Sequence, residues 1–245
     1  MPTAVSLRYF APRLPDAERL ARLATWALVL ALLLVSVEAF GHDVSEANKT
    51  YIENINGPAP VPFFYLGAKH MVTGIDHILF LIGVIFFLYR LRDIVVYVSL
   101  FTLGHSTTLI LGVLLGTGLN SYIVDAIIGF SVMYKAFENM GGFQRLGLSV
   151  NTKLAVLVFG LFHGMGLATR LQDMNASKNG LLTNLISFNV GVEAGQVIAL
   201  AIVVVLLNFW RATPTFVRGA FFANVLLMGA GAALIIYHLA GYFAS

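Results

Sequence analysis

Four histidines stand inside three of the chain's apolar stretches, where ionisable side chains are rare and costly. A single histidine there usually forms a hydrogen bond between helices, but four with acidic partners favour a shared metal or proton site. Imidazole and carboxylate without thiolate suit Ni²⁺, Co²⁺, Cu²⁺ or Zn²⁺, whereas Mg²⁺ and Ca²⁺ prefer oxygen ligands. The candidate metal residues are His70, Asp76, His77, His105, His163 and Glu193, with Asp125, Glu138, Asn189 and Gln196 as supporting polar groups.

The spacing of His70 and His77 sets a geometric problem. Seven residues at 1.5 Å each put them about 10 Å apart on one face of a regular helix, too far to share one ion. Either two sites lie along a path, or the helix unwinds near Thr73–Gly74, as broken helices do at ion sites in membranes. Asp76 points about 100° away from His77 and is expected to orient a neighbouring histidine or to ligate from the side.

Other polar and small residues follow helical spacing. Asn189, Glu193 and Gln196 are spaced i, i+4, i+7 and predict one polar stripe. Lys135 and Glu138 predict an ion pair within one helix. The G-x-x-x-G strings predict close helix contacts, and they are Gly112–Gly116, Gly160–Gly164 and Gly191–Gly195.

The elements that position these groups are membrane helices. Of 245 residues, 58% are hydrophobic, 11% are charged and none is cysteine, and the mean hydropathy is +0.84. This composition excludes an ordinary soluble enzyme, thiolate sites and, with no Walker A string, ATP-driven transport by this chain alone. The net charge of +3 is scattered through loops, so the expected partner is the lipid bilayer and not nucleic acid.

The fold class expected is all-α, a polytopic membrane bundle with six core helices and an N-terminal segment, Leu23–Phe40, that is either a signal peptide or an anchor. Continuous apolar runs exclude a barrel. The six core segments run approximately Phe63–Tyr89, Ile94–Leu115, Ser121–Asn139, Leu154–Leu171, Thr183–Trp210 and Phe216–Phe243.

The chain is expected to divide at residues 41 and 62. Residues 1–41 form the signal peptide or anchor, 42–62 a short extracytoplasmic segment, and 63–245 the transmembrane domain. Lysines and arginines in short loops favour an inner-membrane protein with its N-terminus cytoplasmic, if retained, and its C-terminus extracytoplasmic. The candidate metal residues then lie in the outer half of the bundle.

Several strings, in order from about Phe63 to Gln196, resemble the HupE/UreJ family of membrane proteins. They are Gly67-x2-His70-x3-Gly74-x-Asp76-His77, Phe101–Leu109, Asp125-Ala126, Ala136-x-Glu138-Asn139, Phe162–Gly166 and Phe188–Gln196. The resemblance implies nickel or cobalt permeation, often beside hydrogenase or urease genes. It assigns His70, Asp76, His77, His105 and His163 to the metal path.

Three functions remain open at this point. The first is secondary transport of a divalent transition metal ion, with uptake weakening as falling pH protonates the imidazoles. The second is an intramembrane zinc hydrolase, since histidines and an open coordination position can activate water. The third is a non-catalytic membrane subunit that delivers metal to a neighbouring metalloenzyme. A homo-oligomer is compatible with each of them.

Overall fold

The computed structural model describes residues 55–173 and 179–245. The predicted N-terminal segment and its cleavage lie outside these residues. The described part folds into helices joined by short links, without a strand. The helices are α1 (Pro60–Thr73), α2 (Ile75–Ile85), α3 (Leu91–Leu115), α4 (Ser121–Asn139), α5 (Gly142–Arg145), α6 (Thr152–Asp173), α7 (Leu181–Arg211) and α8 (Thr215–Ala244).

The prediction of an all-helical membrane protein is confirmed. By length and apolarity, α3, α6, α7 and α8 can each cross a membrane, and α1 with α2 adds a fifth span if the bent pair counts as one. Helix α4 has 19 residues, but it contains three charged residues, Asp125, Lys135 and Glu138, and is not among the candidate spans. The sixth crossing therefore stays a prediction.

Helices α1 and α2 are two halves of one apolar segment, broken at Gly74. Gly74 is extended, with φ −71° and ψ 99°, and the two helices are bent by 62°. A Cβ at Gly74 would lie 3.0 Å from His77 Nδ1 and 3.2 Å from Asp76 Oδ1, so glycine leaves room for both side chains. Of the two arrangements compatible with the His70–His77 spacing, the chain has the unwound one.

The helices associate as three closely packed pairs, α1 with α7, α3 with α6, and α4 with α8, and contacts between the pairs are sparser. Glycines let the paired backbones approach. A Cβ at Gly191 would fall on the Phe64 carbonyl oxygen, and one at Gly164 on the His105 carbonyl oxygen. The G-x-x-x-G strings that contain Gly164 and Gly191 thus lie at helix contacts, as expected.

The bundle has two ends. The Ser121 end holds the starts of α1, α4 and α7, and there Asn120 caps α4 by accepting a hydrogen bond from the Ile123 amide at 3.3 Å. The Arg211 end holds the α2–α3 and α7–α8 links. Arg211 Nη2 donates to the carbonyl oxygens of Ile85 at 2.6 Å and Phe86 at 2.8 Å. The Phe86 carbonyl is one that the end of the helix leaves open, whereas the Ile85 carbonyl also accepts from the Leu88 amide at 3.0 Å.

Candidate functional site

The four histidines meet inside the bundle around His77. Its ring centroid lies 5.0 Å from that of His70, 5.8 Å from that of His105 and 4.9 Å from that of His163. His70, His105 and His163 each lie ten residues from the Ser121 end of their helix, about 15 Å at the helical rise. His77, His105 and His163 are 1–2% exposed. Four separate helices therefore deliver imidazoles to one depth.

Hydrogen bonds fix the tautomers of two of these rings. His163 Nδ1 lies 2.8 Å from the Phe159 carbonyl oxygen, and because a carbonyl only accepts, Nδ1 carries the proton. His77 Nδ1 lies 2.9 Å from Asp76 Oδ1, a carboxylate that also accepts from the His77 amide at 2.8 Å. In both neutral rings the lone pair is then on Nε2. This is the arrangement by which proteins prepare histidine as a metal ligand.

Those Nε2 atoms are buried without a hydrogen-bond partner in the part of the chain that the structure describes. The same holds for Nε2 of His70 and for both ring nitrogens of His105. Buried polar atoms are nearly always paired in folded proteins. Such a concentration of unpaired nitrogens is typical of a site whose ligand supplies the missing contacts.

A small, partly open cavity with room for about one water molecule lies beside the imidazoles. Its lining combines three of the histidines with two carboxylates and an arginine, namely His70, Asp76, His77, Asp125, Ile128, His163, Gly166, Leu167 and Arg170. His105 stands behind His77 and does not line it. The cavity thus places lone-pair donors and negative charge together, as a cation requires.

In their present rotamers, no three His, Asp or Glu side chains among residues 55–173 and 179–245 could hold one metal ion. The rings of His70 and His163 meet that of His77 edge to face, at 76° and 72°, and Asp76 is turned towards His77. A common ion at the usual metal–nitrogen distance of about 2.0–2.1 Å needs these rings to turn.

An aromatic layer closes the histidine cluster on its Arg211 side. Phe80 lies 5.3 Å from Phe101 and 5.9 Å from Phe159, centroid to centroid. The same rings contact the imidazoles, with Phe80 5.2 Å and Phe101 5.0 Å from His163. All three phenylalanines are buried, so this face of the site is apolar while the opposite face is polar.

The predicted stripe on α7 is only partly turned towards the bundle. Asn189 Oδ1 accepts a hydrogen bond from Ser106 at 3.1 Å, and Gln196 Oε1 accepts one from Thr102 at 2.9 Å. Glu193 is exposed and is not part of the cavity lining. At 100° per residue it lies about 40° from Asn189 and 60° from Gln196, on the outward edge of the stripe.

Glu138 belongs to a separate polar cluster near the Arg211 end. Lys135 Nζ donates to Glu138 Oε2 at 2.8 Å, the ion pair that the spacing predicts, and Thr152 donates to the other carboxylate oxygen. Asn139 Nδ2 donates to the Gly83 carbonyl oxygen and to Asn224 Oδ1, both at 2.9 Å. These contacts tie α4 to α2, α6 and α8, away from the histidines.

Two residues near the site were missed by reasoning from the sequence. Arg170 Nη2 lies 2.6 Å from Asp125 Oδ2, and His238 Nδ1 lies 3.7 Å from the same oxygen. A signal existed for Arg170, because it follows His163 by seven residues and so shares its helix face. His238 is an ionisable residue inside the last apolar segment, which is a signal in its own right.

Helices that cross a membrane several times and enclose a buried histidine cluster define a multi-pass membrane protein in contact with the lipid bilayer. The chain belongs to the HupE/UreJ family, since the family model described as HupE / UreJ protein matches residues 46–245. No match was found among curated proteins or among solved structures. Family membership suggests a function related to nickel or cobalt transport.

Proposed function

We propose that the chain is a secondary transporter, working without ATP, for a divalent transition metal ion, nickel or cobalt. The transported ion is bound by imidazole nitrogens of His70, His77, His105 and His163. Asp76 holds His77 in the tautomer that leaves Nε2 free to bind. Glu193 faces away from this cluster and is left outside the ligand set.

One observation carries the proposal, the gathering of buried, unpartnered imidazole nitrogens from four helices beside a polar cavity. A purely structural network would pair these nitrogens with each other or with backbone groups. Neutral imidazole is a good ligand for nickel and cobalt, and the carboxylates Asp76 and Asp125 offset part of the ion's charge.

The need for ring rotation fits a substrate better than a resident cofactor. A carrier must release its ion, so a site assembled only as the ion arrives suits transport. We place the protein in the inner membrane with its Ser121 end on the extracytoplasmic side, because the loops at the opposite end contain more lysine and arginine. The ion then approaches past Asp125 and Arg170 before it meets the histidines.

Uptake of Ni²⁺ or Co²⁺ into cells that make the protein tests the proposal directly. His77→Gln and His105→Gln are expected to abolish uptake, because each replaces an imidazole by an amide that binds these ions weakly. The matched control is Thr107→Ala, two residues from His105 on α3. Thr107 is exposed and bonds only to Leu103 of its own helix among the contacts described, so this variant should transport normally.

The comparison requires that wild type and all three variants reach the membrane in equal amounts. Unchanged uptake in both histidine variants contradicts the proposal. Stoichiometric metal binding by the purified protein without any uptake would favour the metal-delivery subunit instead. Zinc-dependent cleavage of a lipid or peptide by the purified protein would favour the hydrolase.

A further inference from the structure

Two of the residues that line the cavity form an ion pair between two helix pairs. Arg170 of α6 donates through Nη2 to Asp125 Oδ2 of α4 at 2.6 Å. Both residues are close to the Ser121 end, with Asp125 four residues from the start of α4 and Arg170 three residues from the end of α6. His238 Nδ1 of α8 also lies 3.7 Å from Asp125 Oδ2. The ion pair stands between the bundle end and the deeper histidines.

An arginine in the lining of a cation site calls for explanation. With neutral imidazoles, the lining has one positive group, Arg170, and two negative groups, Asp76 and Asp125. The single net negative charge only half balances a divalent cation, and Arg170 repels that cation. If Arg170 leaves the lining, the two carboxylates balance the ion.

The exposure of the two partners shows which of them can leave. The Arg170 side chain is 23% exposed, whereas that of Asp125 is 10% exposed. Arginine has a long, flexible stem and stands one turn from the end of α6. Asp125 is short and is held inside the bundle, with Gly166 of α6 packed close to its carboxylate. A swing of Arg170 outward therefore uncovers Asp125 without unpacking a helix.

We propose that Arg170 is a tethered counter-cation, which occupies Asp125 while the site is empty and is displaced from it by the arriving divalent cation. This inference rests on the proposed function, cation transport through the histidine site. Arg170 is a positioning residue and not a ligand. It weakens ion binding, and by returning to Asp125 it helps to expel the ion.

The test is equilibrium dialysis of purified full-length protein against Ni²⁺ or Co²⁺. Arg170→Gln should bind the ion tighter, with Kd lowered about tenfold, because a competing positive charge is removed. The same variant should show a lower KM and a lower maximal rate of uptake, because release slows. Arg170→Lys keeps the charge and should stay close to wild type, as the control for substitution at this position.

Labelling of the wild-type protein gives a second readout that needs no variant. Phenylglyoxal modifies accessible arginines, and peptide mass spectrometry resolves the modified sites. Saturating Ni²⁺ should raise modification of Arg170, since displacement exposes its guanidinium. Arg218, exposed near the other end of the bundle, serves as the internal reference and should not change.

The outcomes separate this inference from the function on which it rests. Wild-type protein that binds neither ion overturns both. Wild-type protein that binds the ion, with unchanged or weaker binding in Arg170→Gln, overturns the role of Arg170 alone, as does unchanged labelling of Arg170. Should Arg170→Gln fail to fold because Asp125 loses the arginine, the labelling result decides.

Discussion

Asp76 orients the neighbouring residue His77, whose ring nitrogen Nε2 is left free to bind a ligand. The Asp76 carboxylate accepts from the His77 amide and contacts its Nδ1, so it holds both the backbone and the ring. His163 is held in a similar way by the Phe159 carbonyl of its own helix. The imidazoles of His77 and His163 thus receive their orientation from their own chain segments. The bundle as a whole needs only to bring the segments together.

Removing the Asp76 carboxylate should weaken metal binding while leaving the imidazoles in place. We expect Asp76→Ala to raise the Kd for Ni²⁺ or Co²⁺ by about 10–100-fold, the usual cost of losing a group that orients a ligating histidine. Asp76→Asn keeps an accepting oxygen but loses the charge, and should fall between Ala and wild type. Equilibrium dialysis of the purified variants measures both values.

Asp93→Asn is the matched control for the Asp76 variants. Asp93 is exposed in the first turn of α3, at the Arg211 end and on the far side of the aromatic layer. Its loss of charge should leave the Kd unchanged. Equal Kd values for Asp76→Ala and wild type would show that His77 does not depend on this carboxylate.

At the scale of elements, glycines decide how closely the helices carrying histidines approach. Gly164 neighbours His163, and it faces the backbone of His105 and the Thr108 hydroxyl across the α3–α6 contact. Any side chain there separates the two helices. The distance between His105 and His163 therefore depends on a residue with no chemistry of its own.

Gly164→Ala should lower both stability and uptake. Overpacking of this kind costs about 1–3 kcal/mol, which thermal unfolding in detergent would register as a lower Tm. Gly229→Ala is the matched control, because a Cβ at Gly229 of α8 meets nothing within 4 Å. If the two variants unfold at the same temperature and transport equally, the helices are not held together at Gly164.

The sequence allowed some of these elements to be predicted and not others. The long apolar segments predict the helices, because a chain inside lipid must pair all its backbone polar groups internally, as a helix does. The spacing of His70 and His77 left two arrangements open, and the extended backbone of Gly74 decides between them. The spacing on α7 correctly indicates that Asn189 and Gln196 face the bundle. Glu193 faces outward, because it is rotated by 40° from Asn189 around the helix and lies at the edge of the packed face.

The spacing of Arg170 from His163 indicates its helix face, but the sequence does not indicate its partner, Asp125. In the sequence, Arg170 is one of the basic residues near helix ends, which indicate the orientation of a membrane protein. Its contact with Asp125 depends on how α4 and α6 come together over 45 residues of sequence. Pairing between distant helices leaves no local pattern, and this is the part of the site that needed the structure.

At the scale of the whole molecule, the site lies where three helix pairs meet. His70 comes from the α1–α7 pair, His105 and His163 from the α3–α6 pair, and Asp125 from the α4–α8 pair. Contacts within pairs are dense and those between them sparse. Rocking of one pair against another would therefore change the set of ligands around an ion, as transporters that alternate their access require.

A bridge between two pairs should stop transport. Thr102 of α3 and Gln196 of α7 are joined by a hydrogen bond of 2.9 Å, and the chain has no native cysteine. Thr102→Cys with Gln196→Cys, linked by a short bis-methanethiosulfonate reagent, is expected to lose Ni²⁺ uptake and to regain it on reduction. Each single-cysteine variant treated with the same reagent is the control. Full uptake after complete cross-linking would mean that these pairs do not move apart.

The stacked rings of Phe80, Phe101 and Phe159 have a consequence for the cell's energy supply. They form an apolar layer beneath the imidazoles, so under the proposed function a bound ion has no open path to the Arg211 end. A membrane crowded with copies of this protein can then keep its voltage and proton gradient. Transport under this proposal is then slow, because each ion crosses only after the aromatic layer opens, as in a carrier and not as in a channel.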